Sequence, residues 1–205
     1  MKKLIITIFA LVPLMLWAQD NTWERAEEEE VEVKPVKPAM NPKYLRGTVP
    51  EVDGKVVFSK TIDAPGKSAA DIFDILQKYL LKMTKETNQI NSRLAIANKE
   101  AGELAATCEE WLVFKSSALS LDQTRFYYVV QAKCQDGKAD VSMSRIRYLY
   151  DEYRRPQRLN AEGWITDKEA VNKKNTKLLP LSGKFRIKTI DRKDFLFNKF
   201  ENLLK

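Results

Sequence analysis

Histidine is absent from the chain, and cysteine occurs only twice in 205 residues. Without imidazole there is no Ser-His or Cys-His nucleophile pair, no histidine general base and no His-containing zinc pattern. No Gly-rich phosphate loop, nucleophile elbow or metal-ligand spacing occurs either, so catalytic residues, metal and cofactor are all expected to be none. The paired carboxylates Glu109-Glu110 are adjacent, and in an extended segment they point to opposite faces, where they cannot serve one substrate. Long apolar runs are scarce as well. The one such run, Leu4 to Trp17, follows Met1-Lys2-Lys3 and ends at Ala18, which is the layout of a secretory signal peptide. It is shorter than the roughly 20 apolar residues a bilayer span needs, and Pro13 interrupts it. Cleavage after Ala18 is expected, with an uncleaved anchor as the alternative. No cysteine follows the run to carry a lipid, so the mature chain is expected in the periplasm or outside the cell.

Residues 19–50 carry seven acidic and five basic side chains and four of the eight prolines, without a sustained apolar period. With Glu27 to Glu30 and the Lys34-Pro35-Val36-Lys37-Pro38 stretch they read as a disordered tether, or simply as an unselective leader. Residues 51–205 form the one expected domain, large enough for a single core. Val56 to Ile62 is β-rich; Pro65-Gly66 breaks it, and Ser68 with Asp71 forms a capping-box start for a helix. Ile72, Ile75, Leu76, Tyr79, Leu80 and Met83 then mark one apolar stripe. Four further strands follow. The segments 94–98 and 103–114 pair across Glu100-Ala101-Gly102, a longer loop Lys115 to Thr124 leads to 125–134, and Asp136-Gly137 turns the chain into 138–150. The apolar phase of the last strand slips between Met143 and Ile146, which predicts a β-bulge at Ser144-Arg145. Thr166 with Glu169 reads as a second capping box, and the chain ends in a helix that begins either near Gly183 or at Asp191.

If the hairpin over Lys115 to Thr124 sets Phe114 opposite Tyr128, it also sets Cys108 opposite Cys134. A disulfide between them is then one expectation, and two small buried thiols are the other.

Several strings resemble a known family: Val57-Phe58-Ser59-Lys60 with Pro65-Gly66-Lys67-Ser68, Gly163-Trp164-Ile165-Thr166-Asp167-Lys168 with Asn172-Lys173-Lys174, and Gly183 to Asp191. Across about residues 56 to 200 the chain is similar to an exported bacterial domain of unknown function with a TATA-box-binding-protein-like (TBP-like) fold. The resemblance implies an α+β fold in β-α-β-β-β-β-α order, with a curved antiparallel sheet of about five strands and two main helices on one face. None of the strings is a catalytic signature. The long acidic lead-in departs from the short one associated with the family's simpler members.

Charge is unevenly placed. Residues 51–137 carry 11 basic and 12 acidic groups, whereas residues 138–205 carry 17 and 9. Arg145, Arg147, Arg154, Arg155 and Arg158 accompany Tyr150 and Tyr153, a mixture that suits an anionic or sugar-bearing partner; its alternative is a solvated rim. Lys173, Lys174 and Lys177 form a second cluster, and Trp164 is either an anchor under its loop or a ligand platform. The expected function is an exported, non-enzymatic binding module of the cell envelope whose partner is an envelope protein or an anionic envelope component, with no nucleic acid. The alternatives are an envelope enzyme using Lys, Tyr or carboxylates on glycan or cell-wall material, and a structural part of an envelope assembly.

Overall fold

The computed structural model describes residues 40–117 and 120–205. The predicted signal peptide and residues 19–39 of the predicted tether lie outside the described residues. In chain order the elements are β1 (Glu51–Val52), β2 (Lys55–Val56), β3 (Phe58–Asp63), α1 (Ala69–Met83), β4 (Arg93–Asn98), β5 (Glu103–Ser117), β6 (Ser120–Gln135), β7 (Lys138–Tyr150), β8 (Gln157–Asn160), α2 (Asp167–Ala170) and α3 (Ser182–Leu204). The main sheet is antiparallel in the order β3-β7-β6-β5-β4. The short strand β8 adds to the later half of β7, beyond where β3 ends, and β1-β2 form a separate ribbon.

The α1 start forms as expected. Ser68 accepts from the Asp71 backbone N–H, and the Asp71 carboxylate accepts from the Ser68 backbone in return. Ile72, Leu76, Tyr79, Leu80 and Met83 are buried, joined by Phe73. The helices α1 and α3 pack on one face of the sheet, over Phe126, Tyr128, Val130, Ile146 and Tyr148. In β7 the register against β6 shifts between Arg147 and Ser144, and Arg145 sits there with φ 54°. This is the bulge that the apolar phase predicts, and it returns Ile146 and Tyr148 to the core. Gly102 closes the β4–β5 turn with φ 66°, where a Cβ would stand 2.5 Å from the Cys134 carbonyl oxygen.

The expected Lys115–Thr124 loop is instead paired strand. The ladder β5–β6 continues through Ser117 and Ser120, with one irregularity between Val113 and Lys115. Backbone pairing needs no apolar side chains, so polar residues that read as loop extend the hairpin. The register is therefore displaced from the expected one. Cys108 faces Tyr128, and Cys134 faces Ala139 on β7. Cys134 lies six residues beyond Tyr128 on β6, about 20 Å at the rise of a strand, far outside disulfide range. Both cysteines are free and buried, which corrects the disulfide expectation.

Two further expectations are corrected. Thr166 caps no backbone in α2; its hydroxyl donates backwards to the Glu162 carbonyl at 3.1 Å. Residues 42–50 are not tether. A 3-10 turn at Pro42–Tyr44 is followed by Val49, which joins the core. Arg186 of α3, wholly buried, donates to the carbonyl oxygens of Tyr44 (2.7 Å), Leu45 (2.5 Å) and Ile165 (2.7 Å) and to the Asp167 carboxylate (2.6 Å). An uncapped run of carbonyls is thus held by one guanidinium, whose planar fork offers five donors. Burial is the leading cause that lowers the Arg186 pKa, and the Asp167 carboxylate opposes it. Among the described residues no helix is long and apolar enough to cross a membrane.

Candidate functional site

The helices cover one face of the sheet and leave the other open. Side chains alternate along each strand, so the register decides which residues line that open face. Arg93 of β4 faces Thr107, which faces Val129 of β6. In the next row Glu109 faces Tyr127, Tyr127 faces Arg147, and Arg147 faces Asn160 of β8. Two adjoining concavities cross these strands. One, of about 510 Å³, is lined by Tyr127, Arg147, Leu149, Arg158, Asn160 and Trp164 among others. The second, of about 270 Å³, is lined by Arg93, Thr107, Glu109, Tyr127, Arg145 and Arg147 among others. They share Tyr127 and Arg147 and so make one groove from β4 to β8, which at strand spacing is about 19 Å long.

Carboxylates on this face are already engaged. Arg125 donates to Glu109 at 2.9 Å and to Glu152 at 2.6 Å, and its guanidinium lies 5.3 Å from the Trp111 ring centroid. Hydrogen bonding to Glu152 first, and to Glu109 second, raises the Arg125 pKa further above its ordinary range. Arg93, Arg145, Arg147 and Arg158 are exposed, and none forms an ion pair among the described residues. Arg147 instead lies over the Tyr127 ring, 5.8 Å from its centroid. Burial, reinforced by the nearby Glu109 carboxylate, raises the Tyr127 hydroxyl pKa. Four guanidinium groups thus present unspent donors and positive charge to one groove, a surface that can take carboxylate or phosphate oxygens two at a time.

The residues singled out from the sequence divide into three groups. Arg145, Arg147 and Arg158 line the groove, Arg145 from the bulge itself. Tyr150 points the other way. Its hydroxyl donates to Asp122 at 3.0 Å and its ring packs 5.3 Å from Phe185 under the helices, so it forms part of the core wall. Tyr153, Arg154 and Arg155 stand exposed in the turn after β7, where the Arg154 and Arg155 N–H groups bond the Asp151 carbonyl. Trp164 is half-buried, its ring edge-on to Phe185 at 5.9 Å, and it also lines the larger concavity. Of the paired carboxylates, Glu109 faces the groove and Glu110 is buried on the helical side against Arg192 at 2.8 Å, in keeping with the opposed faces expected. Sequence reasoning missed Arg93 and Tyr127. Both occupy the open-face phase of their strands, whose polar and apolar residues are too mixed to mark a surface, although the phase of Tyr128 on the opposite face fixes that of Tyr127.

No curated protein matches the chain. A family model described as a domain of unknown function (DUF4468) with TBP-like fold matches residues 58–149. A crystal structure of a DUF4468 family protein from Bacteroides ovatus is similar at 42% identity and TM-score 0.71, covering 79% of this chain and 93% of that one. A TBP-like protein from Parabacteroides distasonis, 21% identical with TM-score 0.62, covers 76% of this chain and 96% of that chain and shares the fold. The matched stretch runs from the start of β3 to Leu149 in β7 and so contains Arg93, Tyr127, Arg145 and Arg147, while Arg158 falls beyond it. With its antiparallel sheet, helices on one face and this extent of identity, the chain belongs to the DUF4468 family and has the TBP-like fold.

Proposed function

We propose that the protein is an exported, non-enzymatic module of the bacterial cell envelope that docks an anionic envelope component in the arginine groove of its open sheet face. One observation carries this reading: Arg93, Arg145, Arg147 and Arg158 line two adjoining concavities that share Tyr127, with no carboxylate bound to any of them among the described residues. The one carboxylate in the lining, Glu109, is paired with Arg125, so the groove is net positive, attracts anions and is sensitive to salt. The candidates for acid-base or nucleophilic work are occupied elsewhere. Glu110 is bound by Arg192, Glu109 by Arg125, and both thiols are buried. The apolar leader Leu4 to Trp17 supports export, which brings the folded domain to envelope polymers and away from the chromosome. In the binding test, purified chain is retained on envelope fractions at low ionic strength and released by salt, and Arg147→Glu with Arg158→Glu lowers retention. Retention equal to that of the parent chain overturns the reading. N-terminal sequencing of the natural product checks export, for which Gln19 is the expected first residue.

A further inference from the structure

At one end of the sheet three segments meet around a single lysine. Lys184, in the first turn of α3, donates to Asp122 at 2.6 Å, beside the tip of the β5–β6 hairpin, and to the Tyr150 hydroxyl at 2.9 Å, where the β7–β8 turn begins. Each of these segments exposes a large apolar or aromatic side chain within three residues of a member of that junction: Leu121 (48% exposed) on the hairpin, on the other face of the strand from Asp122, Tyr153 (82%) on the turn and Leu181 (66%) before α3. Leu179 adds a fourth. They are not on slack chain. The Leu179 N–H bonds the Ala170 carbonyl, and the Gly183 N–H bonds the Leu179 carbonyl, both at 2.9 Å, so the leucines are presented on fixed backbone. Around them lie exposed cations, Arg154 and Arg155 on the turn and Lys173, Lys174 and Lys177 on the excursion that leads into Leu179, none in an ion pair among the described residues.

We infer that this end of the domain is a contact surface for an anionic phospholipid bilayer. Apolar tips that insert shallowly, with basic groups at headgroup level, supply the two signals that reversible membrane attachment requires. Lysine is depleted at protein–protein interfaces, whereas a lysine's long stem suits a membrane boundary, with its ammonium at the phosphates. An aromatic hydroxyl such as that of Tyr153 suits the same boundary. The surface shares no residue with the lining of the arginine groove.

The test uses the chain as recovered from cells, with a fluorophore sensitive to polarity attached at Leu181→Cys. Cys108 and Cys134, being buried, stay unlabelled. Phosphatidylcholine vesicles containing phosphatidylglycerol are expected to shift the emission to the blue, and pure phosphatidylcholine vesicles are not. The same label at Asp63→Cys, at the opposite end of the sheet, stays unchanged, so attachment through the N-terminus alone is told apart from contact at this surface. In unlabelled protein Leu181→Asp is expected to lower vesicle partitioning about tenfold. Lys173→Gln and Lys177→Gln are each expected to lower it about fivefold at low salt. No shift at residue 181 with phosphatidylglycerol vesicles, or an equal shift at residue 63, overturns the inference. So does crosslinking of residue 181 to a protein in cells without any response to vesicles.

Discussion

Arg192 of α3 and Glu110 of β5 meet at 2.8 Å with side chains 0% and 1% exposed, in the middle of the apolar layer between helix and sheet. Glu110 also accepts from Tyr128 at 3.1 Å and from Gln89, and Arg192 Nε bonds its other oxygen at 2.8 Å. Burial opposes the charge of Arg192, but Glu110 and the neighbouring tyrosines outweigh it, and the guanidinium stays protonated. Removing either partner strands the other. Arg192→Met or Glu110→Leu alone is expected to cost about 3–5 kcal/mol, because an uncompensated charge stays in the core. For a domain of this size that lowers Tm by roughly 10 °C. The double variant is expected to recover most of the loss, as measured by thermal unfolding.

Arg186 joins residues 44–48 to the rest of the domain through carbonyl and hydroxyl acceptors. Arg186→Met keeps the stem and removes the fork. Protease cleavage near Arg46 is then expected to become fast, with a stability loss of about 3 kcal/mol, since several buried carbonyls lose their donor together. Arg186→Lys is expected to rescue little, because a point charge cannot serve acceptors spread around a plane.

Arg147 and Arg158 are exposed, so reversing their charge leaves the fold intact. Arg147→Glu is expected to weaken binding of a polycarboxylate or polyphosphate about tenfold at low salt, the worth of one charge-assisted hydrogen bond. The difference narrows as salt rises. Titration calorimetry at two ionic strengths, with unfolding curves as control, reads both.

Burial pushes the Cys108 thiol up from 9.0 to about 12 and the Cys134 thiol to about 11, and burial likewise raises the Tyr79 hydroxyl from 10.0 to about 12. Each group stays protonated in the folded state at a pH where the unfolded chain ionises, so the folded state binds more protons and stability falls as pH rises. Full stability is expected below pH 9, with progressive loss between about 9 and 12. Below that window neither thiol reacts with a disulfide reagent until the chain unfolds, and two equivalents react at once in denaturant. A thiol that titrates in native protein at neutral pH contradicts this.

Legibility from sequence followed physical redundancy. The α1 boundaries were readable because the capping residues Ser68 and Asp71 and the stripe from Ile72 to Met83 point to the same helix. The bulge was readable at Arg145 because a two-residue period that slips once has one economical explanation. The β5–β6 register was not, since the residues from Lys115 to Gln123 are mostly polar and their few apolar members, Ala118, Leu119 and Leu121, set no sustained two-residue period, so several pairings satisfy the pattern about equally well. The extra strand β8, four residues of which only Leu159 turns inward, carries almost no periodic signal.

For the site, the arginine-rich tract was visible as composition, and the partition of its members was not. Arg147 and Tyr150 differ by an odd step, so the pleat sends one to the open face and the other under α3. Arg186 and Arg192 were hidden for the opposite reason. Charged residues on a terminal helix ordinarily face water, and only their tertiary partners, a row of carbonyls for one and Glu110 for the other, bring them inside.

The strand β3 pairs with β7 from Phe58↔Met143 to Asp63↔Lys138, so its partner leaves the ribosome only after α1, β4, β5 and β6 have been made. The consecutive hairpins β4–β5 and β5–β6 can zip up as they emerge, whereas β3 waits with a bare edge and with Phe58 and Ile62 facing solvent. Nascent chains arrested before Lys138 are therefore the ones that holding chaperones should grip, and synthesis of β7 is the event that releases them.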